Sequence, residues 1–445
     1  MKKIIYLILP FVFLFWSCGD EPIEQPQPPE EMETPEDSGE DDPEISEEPE
    51  PEIPTYPEDS RDSKFKVHHI IIETENHSKV NSKENYVSCI VSLESEEPNW
   101  NFKELSAGIR GRGNSTWEWY PKKPYRIKFD KKQEVLGLGK AKSWVLLAEY
   151  RDPTDLMNAY VFEMGQALEM PFTNHNRYVW LTLNGEDLGL YHLTEQVQQG
   201  SNRVDVADEG GYLLSLDADD GPYYSSEPDN FWSMTYNMPV CVKYPEDQTS
   251  SQLENIREEF NILEQTIRKG SYSEIETLLD VRSLADFLII QELVYNVELD
   301  APRSMYIHKD KDSKWTLGPL WDFDGGFDFD WNDMYRSHRY FSNTRELVMG
   351  TNPYTREGAS YNPPKFFTDI FRYKEFISVY KTEWKKIKNL HDQVWNTTFN
   401  YVSDYWWENE QNMWNLNLQY SGQITAMKNW LNNRIVYLDS FIPSL

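Results

Sequence analysis

The stretch GPLWDFDGGFDFDW, Gly318–Trp331, places Asp322, Asp324, Asp328 and Asp330 within nine residues, alternating with aromatic residues and two glycines. Carboxylates this dense repel one another unless a cation, arginines or water separate them. Oxygen donors alone favour a hard cation such as Mg2+, Mn2+ or Ca2+. The spacing is not that of an EF-hand. Asp322-x-Asp324 is followed by Gly326 where a ligand is needed, and Asp328-x-Asp330-x-Asn332 has Arg339 where the bidentate glutamate belongs. Asp324 either shares a metal with Asp322 or is turned away by strand-like alternation. Asp328 and Asp330 read as turn-shaping residues that pair with Arg336 or Arg339.

Two further polar groups lie upstream. In QELVYNVELDAPRSMYIHKD the candidates are Asn296, Glu298, Asp300 and Ser304, set between an apolar helix and a strand. In IRGRGNSTWEWYPKKPYRIKF, Gly111 and Gly113 fall at a strand end, where backbone amides can approach a phosphate or simply make a turn. Alternation puts Arg126 and Lys128 on one face of the next strand, so either can reach an anion. Glu163 in the following helix, or Glu195, is a carboxylate that can pair with that cation. Arg112 and Asn114 either join the anion site or brace the hairpin.

The elements that must position these groups follow from periodicity. FKVHHIIIE, NYVSCIVSL, LSAGIRGRG, PYRIKFD and GGYLLSLDA alternate as strands, and RYVWLTLNGEDLGLYHLTEQV reads as a hairpin turning at Asn184-Gly185. DPTDLMNAYVFEMGQALEM predicts a helix capped by Asp152 or Thr154. Leu253, Ile256, Phe260, Leu263 and Ile267 step at helical spacing, SLADFLIIQELVYN is apolar all round, and Ile424, Met427, Leu431, Ile435 and Leu438 mark a last helix. A β-rich first half therefore precedes a mainly helical second half.

In that layout the chain resembles the CotH kinase family, distant relatives of protein kinases named for a spore-coat protein. The resemblance rests on RGRGNSTW with KKPYRIKF, on LNGEDLGLYHLTEQV, on NVELDAPRSMYIHKD and on GPLWDFD. It implies an α+β, two-lobed kinase-like fold with a β-rich lobe at about 63–220 and a helical lobe at about 250–445. It also implies ATP with Mg2+ or Mn2+ (Ca2+ as a variant), and phosphoryl transfer to a protein hydroxyl. Asp322 would hold the metal with Asp324 or Ser304, while Arg112, Arg126 or Lys128 would face the phosphates, with Glu163 supporting them. Glu298 or Asp300 would orient the acceptor. The pattern departs from D-x-x-x-x-N of kinases, because Asp300 to Ser304 is one residue shorter, Glu298 to Ser304 one longer, and a serine stands where kinases carry asparagine. A catalytically weak binding or adhesion module is therefore an alternative. So is a glycan-handling surface protein whose aromatics in DYWWENEQNMW stack on sugars.

The N-terminus carries Lys2 and Lys3, an apolar run from Ile4 to Trp16 and then Cys18. This predicts a signal segment over 1–18 and resembles the lipobox of bacterial lipoproteins, with Cys18 as the lipidated residue. Asp20 and Glu21 resemble the surface-export signal of Bacteroidetes lipoproteins. Residues 19–62 hold 19 acidic residues against one arginine and almost nothing apolar, so they predict a disordered, charge-extended stalk. That segment accounts for more than half of the net charge of −32. The rest, 63–445, remains moderately acidic, which argues against nucleic acid as a partner. The expected setting is an outward-facing lipid anchor on the outer membrane or cell surface, with a protein acceptor. Cys89 reads as a buried thiol, and a Cys89–Cys241 disulfide is permitted in an exported chain.

Overall fold

Alternation builds the first half. Strands β1 (Val67–Thr74), β2 (Val87–Glu94) and β3 (Phe102–Gly111) are followed by a short helix α1 (Ser115–Trp119), β4 (Tyr125–Val135) and β5 (Leu138–Leu147). Helix α2 (Met157–Ala167) then leads to β6 (Arg177–Leu183) and β7 (Glu186–Glu195). The seven strands close into a barrel in the order β1-β2-β3-β4-β5-β7-β6. Inward residues such as Ile72, Val91, Ile109, Ile127, Trp144, Leu181 and Leu193 fill it. A barrel of this size is a packed core, so chemistry has to occur outside it. The computed structural model describes residues 60–219, 229–334 and 338–445. The signal segment, Cys18, nearly all of the acidic stalk, and Arg336 lie outside the described residues.

The β6–β7 turn has Asn184 at φ 53° and Gly185 at φ 77°, the two left-handed residues of a type I′ hairpin, as the Asn-Gly pair predicts. Closure depends on β1 lying parallel to β6, with Val67 opposite Tyr178.

A second, antiparallel sheet has the order β12-β11-β8-β10-β9. It is built from β8 (Tyr212–Leu216), β9 (Asn230–Trp232), β10 (Pro239–Tyr244), β11 (Met305–Lys309) and β12 (Trp315–Leu317). Met305 pairs with Leu216, so the residues just outside that pair, Ser304 and Asp217, are neighbours at one end of the sheet. The helices between and after these strands are α3 (Ser250–Lys269), α4 (Tyr272–Leu278), α5 (Val281–Leu293), α6 (Lys365–Thr368), α7 (Lys374–Thr398), α8 (Asp404–Trp414) and α9 (Tyr420–Phe441). Thr249 and Gln252 form a capping box on α3. Asp280 caps α5, which is buried on nearly every face. Helix α2 begins at Met157, and Asp152 caps it from outside by accepting from the Met157 N–H at 2.7 Å.

The α+β class holds. The β-rich half differs from the expected kinase-like lobe: it is a closed barrel, and the second sheet takes β8 from before residue 220 and β9 to β12 from after it. Closure removes the exposed edges an open sheet would leave. Residues 59–445 are one unit. Cys89 is buried in the barrel core and Cys241 in the other sheet, with no disulfide between them. Trp406 and Trp407 of α8 are core rather than sugar platforms. Trp406 packs against Trp180 at 5.4 Å, and Trp407 Nε1 donates to the Pro153 carbonyl at 3.2 Å.

Candidate active site

A cleft of about 510 Å³ opens where the end of β3, the start of β4 and the end of β5 face the shared end of β8 and β11. Arg112, Arg126, Glu298, Ser304, Asp322 and Asp324 all line it. Six groups scattered over more than two hundred residues of sequence thus meet at one place. Lys128, Glu163 and Asp300 are not among its lining residues. Lys128 is exposed on β4. Glu163 turns away and accepts from Asn176 Nδ2 at 3.0 Å and from the Tyr401 hydroxyl at 2.6 Å. The Asp300 carboxylate accepts from the Asn362 N–H at 2.7 Å. Glu195, the rival of Glu163, is buried against His175, whose N–H and Nδ1 each lie 2.8 Å away. The imidazole of His175 and the charge of Arg203 hold its carboxyl below the usual range against the cost of burial.

The carboxylate wall is built from three chain segments. Asp322 follows β12 and has φ 66°, and Ser304 opens β11 at φ 53°. Both are left-handed conformations that cost a side-chain-bearing residue energy, and they bring the Ser304 hydroxyl to 3.2 Å from Asp322 Oδ2. The Ser304 N–H donates to Asp217 Oδ2 at 3.0 Å. Glu298 is set by the turn after α5, where Asn296 Oδ1 accepts from the Glu298 N–H at 3.2 Å. The glycine pair of the opening stretch makes room for it. A Cβ on Gly325 would stand 3.2 Å from Glu298 Cδ, and one on Gly326 would stand 2.9 Å from the Val294 carbonyl.

Burial and then the Asp324 charge push Asp322 upward. Burial and then the Asp322 charge do the same to Glu298. Arg151 relieves part of this strain. Buried against Phe329 and Trp331, it forms an ion pair with Asp324. Asp324 is therefore held by an arginine. Asp328 accepts from the Asn343 N–H at 2.6 Å, and Asp330 pairs with Arg339 at 2.9 Å, so both shape the loop as expected.

Several groups on the cleft wall were not singled out from sequence. Asp217 and Arg151 are two. Glu149, at φ 46°, is another; it accepts from Asn158 Nδ2 and lies 3.0 Å from His192 Nδ1. Burial and the Asp324 charge raise Glu149 to about 8, and burial lowers His192 to about 3, so that contact is a hydrogen bond between neutral groups rather than an ion pair. Lys122 also lines the cleft, with its ammonium bound to Glu410.

The cleft is also lined by the cations Lys83, Arg110, Arg112, Arg126 and Lys243. Arg112 lies over the Trp321 ring at 5.4 Å and eases the charge on Asp322.

For a divalent cation the donors are oxygens: Asp322, Glu298, the Ser304 hydroxyl and Asp217. Among the described residues no group of three or more His, Cys, Asp or Glu converges as a ready cage. Such a set suits an ion held by one or two carboxylates that takes its other oxygens from substrate and water, as Mg2+ does. It fits poorly the six to eight oxygens that Ca2+ takes.

No curated protein matches this chain. The family described as CotH kinase protein matches residues 109–438, which takes in the arginine-bearing β3–β4 hairpin, the Glu298–Ser304 turn and Asp322. The chain belongs to the CotH kinase family.

Proposed function

We propose that the cleft binds ATP with Mg2+ or Mn2+ and transfers the γ-phosphoryl group to a protein hydroxyl. The observation that carries this reading is that Arg112 and Arg126, and with them the carboxylates Asp322 and Glu298, line one cleft of about 510 Å³. A phosphate chain needs the arginines and its counter-ion the carboxylates. Asp322 would hold the metal with Ser304 and Glu298 beside it, and the bound ion would screen the charge of the phosphates. Arg112 and Arg126 take phosphate oxygens. Glu298 in its ionised form orients the acceptor hydroxyl and accepts its proton, and burial beside Asp322 makes that carboxylate the more basic. The acceptor oxygen bonds to the γ-phosphorus, the bond from that phosphorus to the bridging oxygen breaks, and ADP leaves.

A second reading is a nucleotide-binding module without turnover. It is favoured by the serine at 304, which spends its hydroxyl on Asp322 at 3.2 Å. Incorporation of the γ-phosphate into a protein acceptor separates the two. Kinase activity predicts incorporation that is lost in Asp322→Asn and Glu298→Gln, whereas the module predicts metal-dependent ATP binding alone.

The N-terminal segment supports a place for the protein on the outer membrane or cell surface, anchored through lipid on Cys18 and held off by the acidic stretch. Its acceptor would then be a surface or secreted protein. Metabolic labelling with a fatty-acid probe, lost in Cys18→Ser, tests the anchor.

A further inference from the structure

Two arginines of the cleft lining stand side by side. Arg110 on β3 and Arg126 on β4 are direct cross-strand partners. Like charges in that relationship destabilise an antiparallel pair. Arg110 lies over the Tyr86 ring at 5.2 Å, and Arg126 Nη2 reaches only the Ser143 hydroxyl at 3.1 Å. Among the described residues neither guanidinium makes an ion pair, and the buried Nε of each has no hydrogen-bond partner. Burial, Arg110 and Arg112 all weigh against the charge of Arg126, with Tyr86 and Glu246 opposing them. Beyond burial, Asp322 is set mainly by Asp324, Arg112 and Arg151, so Arg112 acts on both Asp322 and Arg126. Neither Arg110 nor Arg126 is among the charges that act on Asp322.

We infer that Arg110 and Arg126 form a phosphate-binding subsite that works without metal. Two guanidiniums on neighbouring strands can each offer N–H donors to a tetrahedral oxyanion, and an anion between them removes their mutual repulsion. The inference deepens the kinase reading and rests on it only for the source of the phosphate. That source is either the nucleotide's own phosphate chain or a phosphorylated side chain on the acceptor.

The test is calorimetric titration of the full chain with inorganic pyrophosphate and with O-phosphoserine, at fixed ionic strength and in excess EDTA. Binding to wild type and to Asp322→Asn is expected, at least tenfold weaker in Arg110→Gln/Arg126→Gln and partly restored in Arg110→Lys/Arg126→Lys. The unliganded double glutamine variant should melt no lower than wild type, because a repulsion has been removed. Equal binding by that variant, binding that requires metal, or a sharp fall in its unliganded melting temperature would each overturn the inference. If Mg-ATP affinity falls in the double glutamine variant, the phosphate is the nucleotide's. If only O-phosphoserine binding is lost, the phosphate is the acceptor's. If Mg-ATP fails to bind wild type while pyrophosphate binds as stated, the kinase reading fails and the subsite stands.

Discussion

Lys122 and Glu410 form an ion pair wholly inside the protein, Nζ to Oε1 at 2.5 Å, across 288 residues of sequence. Glu410 comes from α8 and enters the barrel wall, where its other oxygen accepts from the Leu190 N–H at 2.7 Å. The neighbouring Gly189, at φ 90°, makes the entry possible. A Cβ there would lie 2.1 Å from Glu410 Oε2. Helix α8 is thereby tied to the barrel next to the cleft that Lys122 lines.

Removing one partner of such a pair leaves a buried charge uncompensated. Glu410→Gln is expected to lower unfolding free energy by about 3 kcal/mol in urea titration. Replacing both residues, Lys122→Met with Glu410→Met, should cost less than either single change. A double variant as unstable as the sum of the singles would contradict this account of the pair.

Glu163 and Lys128 provide a control. Since Glu163 is bound to Tyr401 and Asn176 and Lys128 faces solvent, Lys128→Gln should leave Mg-ATP affinity within about twofold. Glu163→Gln should reduce stability by about 1 kcal/mol while sparing that affinity. A tenfold loss of affinity in either variant would return that residue to the site.

Glu149 gives the chain a pH signature. Its carboxyl rises from 4.5 unfolded to about 8 folded, so the folded state binds the extra proton. The stability linked to that proton is complete below about pH 4.5 and is lost as pH rises through about 8. Glu149→Gln keeps a neutral side chain at all pH values. Relative to wild type it should gain stability between pH 5 and pH 9, by on the order of 4 kcal/mol. Melting temperatures of the two proteins across that range check this, and parallel curves would show that Glu149 is charged throughout.

Gly325 and Glu298 are coupled through space. Gly325→Ala should overpack the turn by about 1 to 3 kcal/mol and displace the Glu298 carboxylate. Denaturant titration would show the first effect, and the turnover-to-affinity split for Mg-ATP would show the second, with turnover falling more than affinity.

Much of this was legible in local pattern. The Asn184-Gly185 hairpin, the α3 stripe, the buried α5 and the turn-shaping roles of Asp328 and Asp330 all follow from spacing within a few residues. What was not legible depends on pairing between distant segments. Closure of the barrel needs β1 beside β6, more than a hundred residues apart. Asp217 enters the cleft only because β8 pairs with β11, although a lone aspartate ending the apolar run YLLSLD was a visible signal. Lys122 was passed over for Lys128 because alternation was counted along β4, whereas Lys122 lies before that strand begins. The kinase resemblance points to Glu163, whereas α2 presents it to Tyr401.

The central claim is that Asp322 anchors a metal on which nucleotide binding depends. Thermal-shift titration with ATP in Mg2+, in Mn2+ and in EDTA tests it most directly, on wild type and on Asp322→Asn. Ligand binding at a hundred times the dissociation constant stabilises by about 2.7 kcal/mol, a shift of several degrees. The account predicts that shift for wild type with ATP and either metal, with loss of the metal-dependent part in EDTA and in Asp322→Asn. An equal shift in the variant, or none in wild type with either metal, would contradict it.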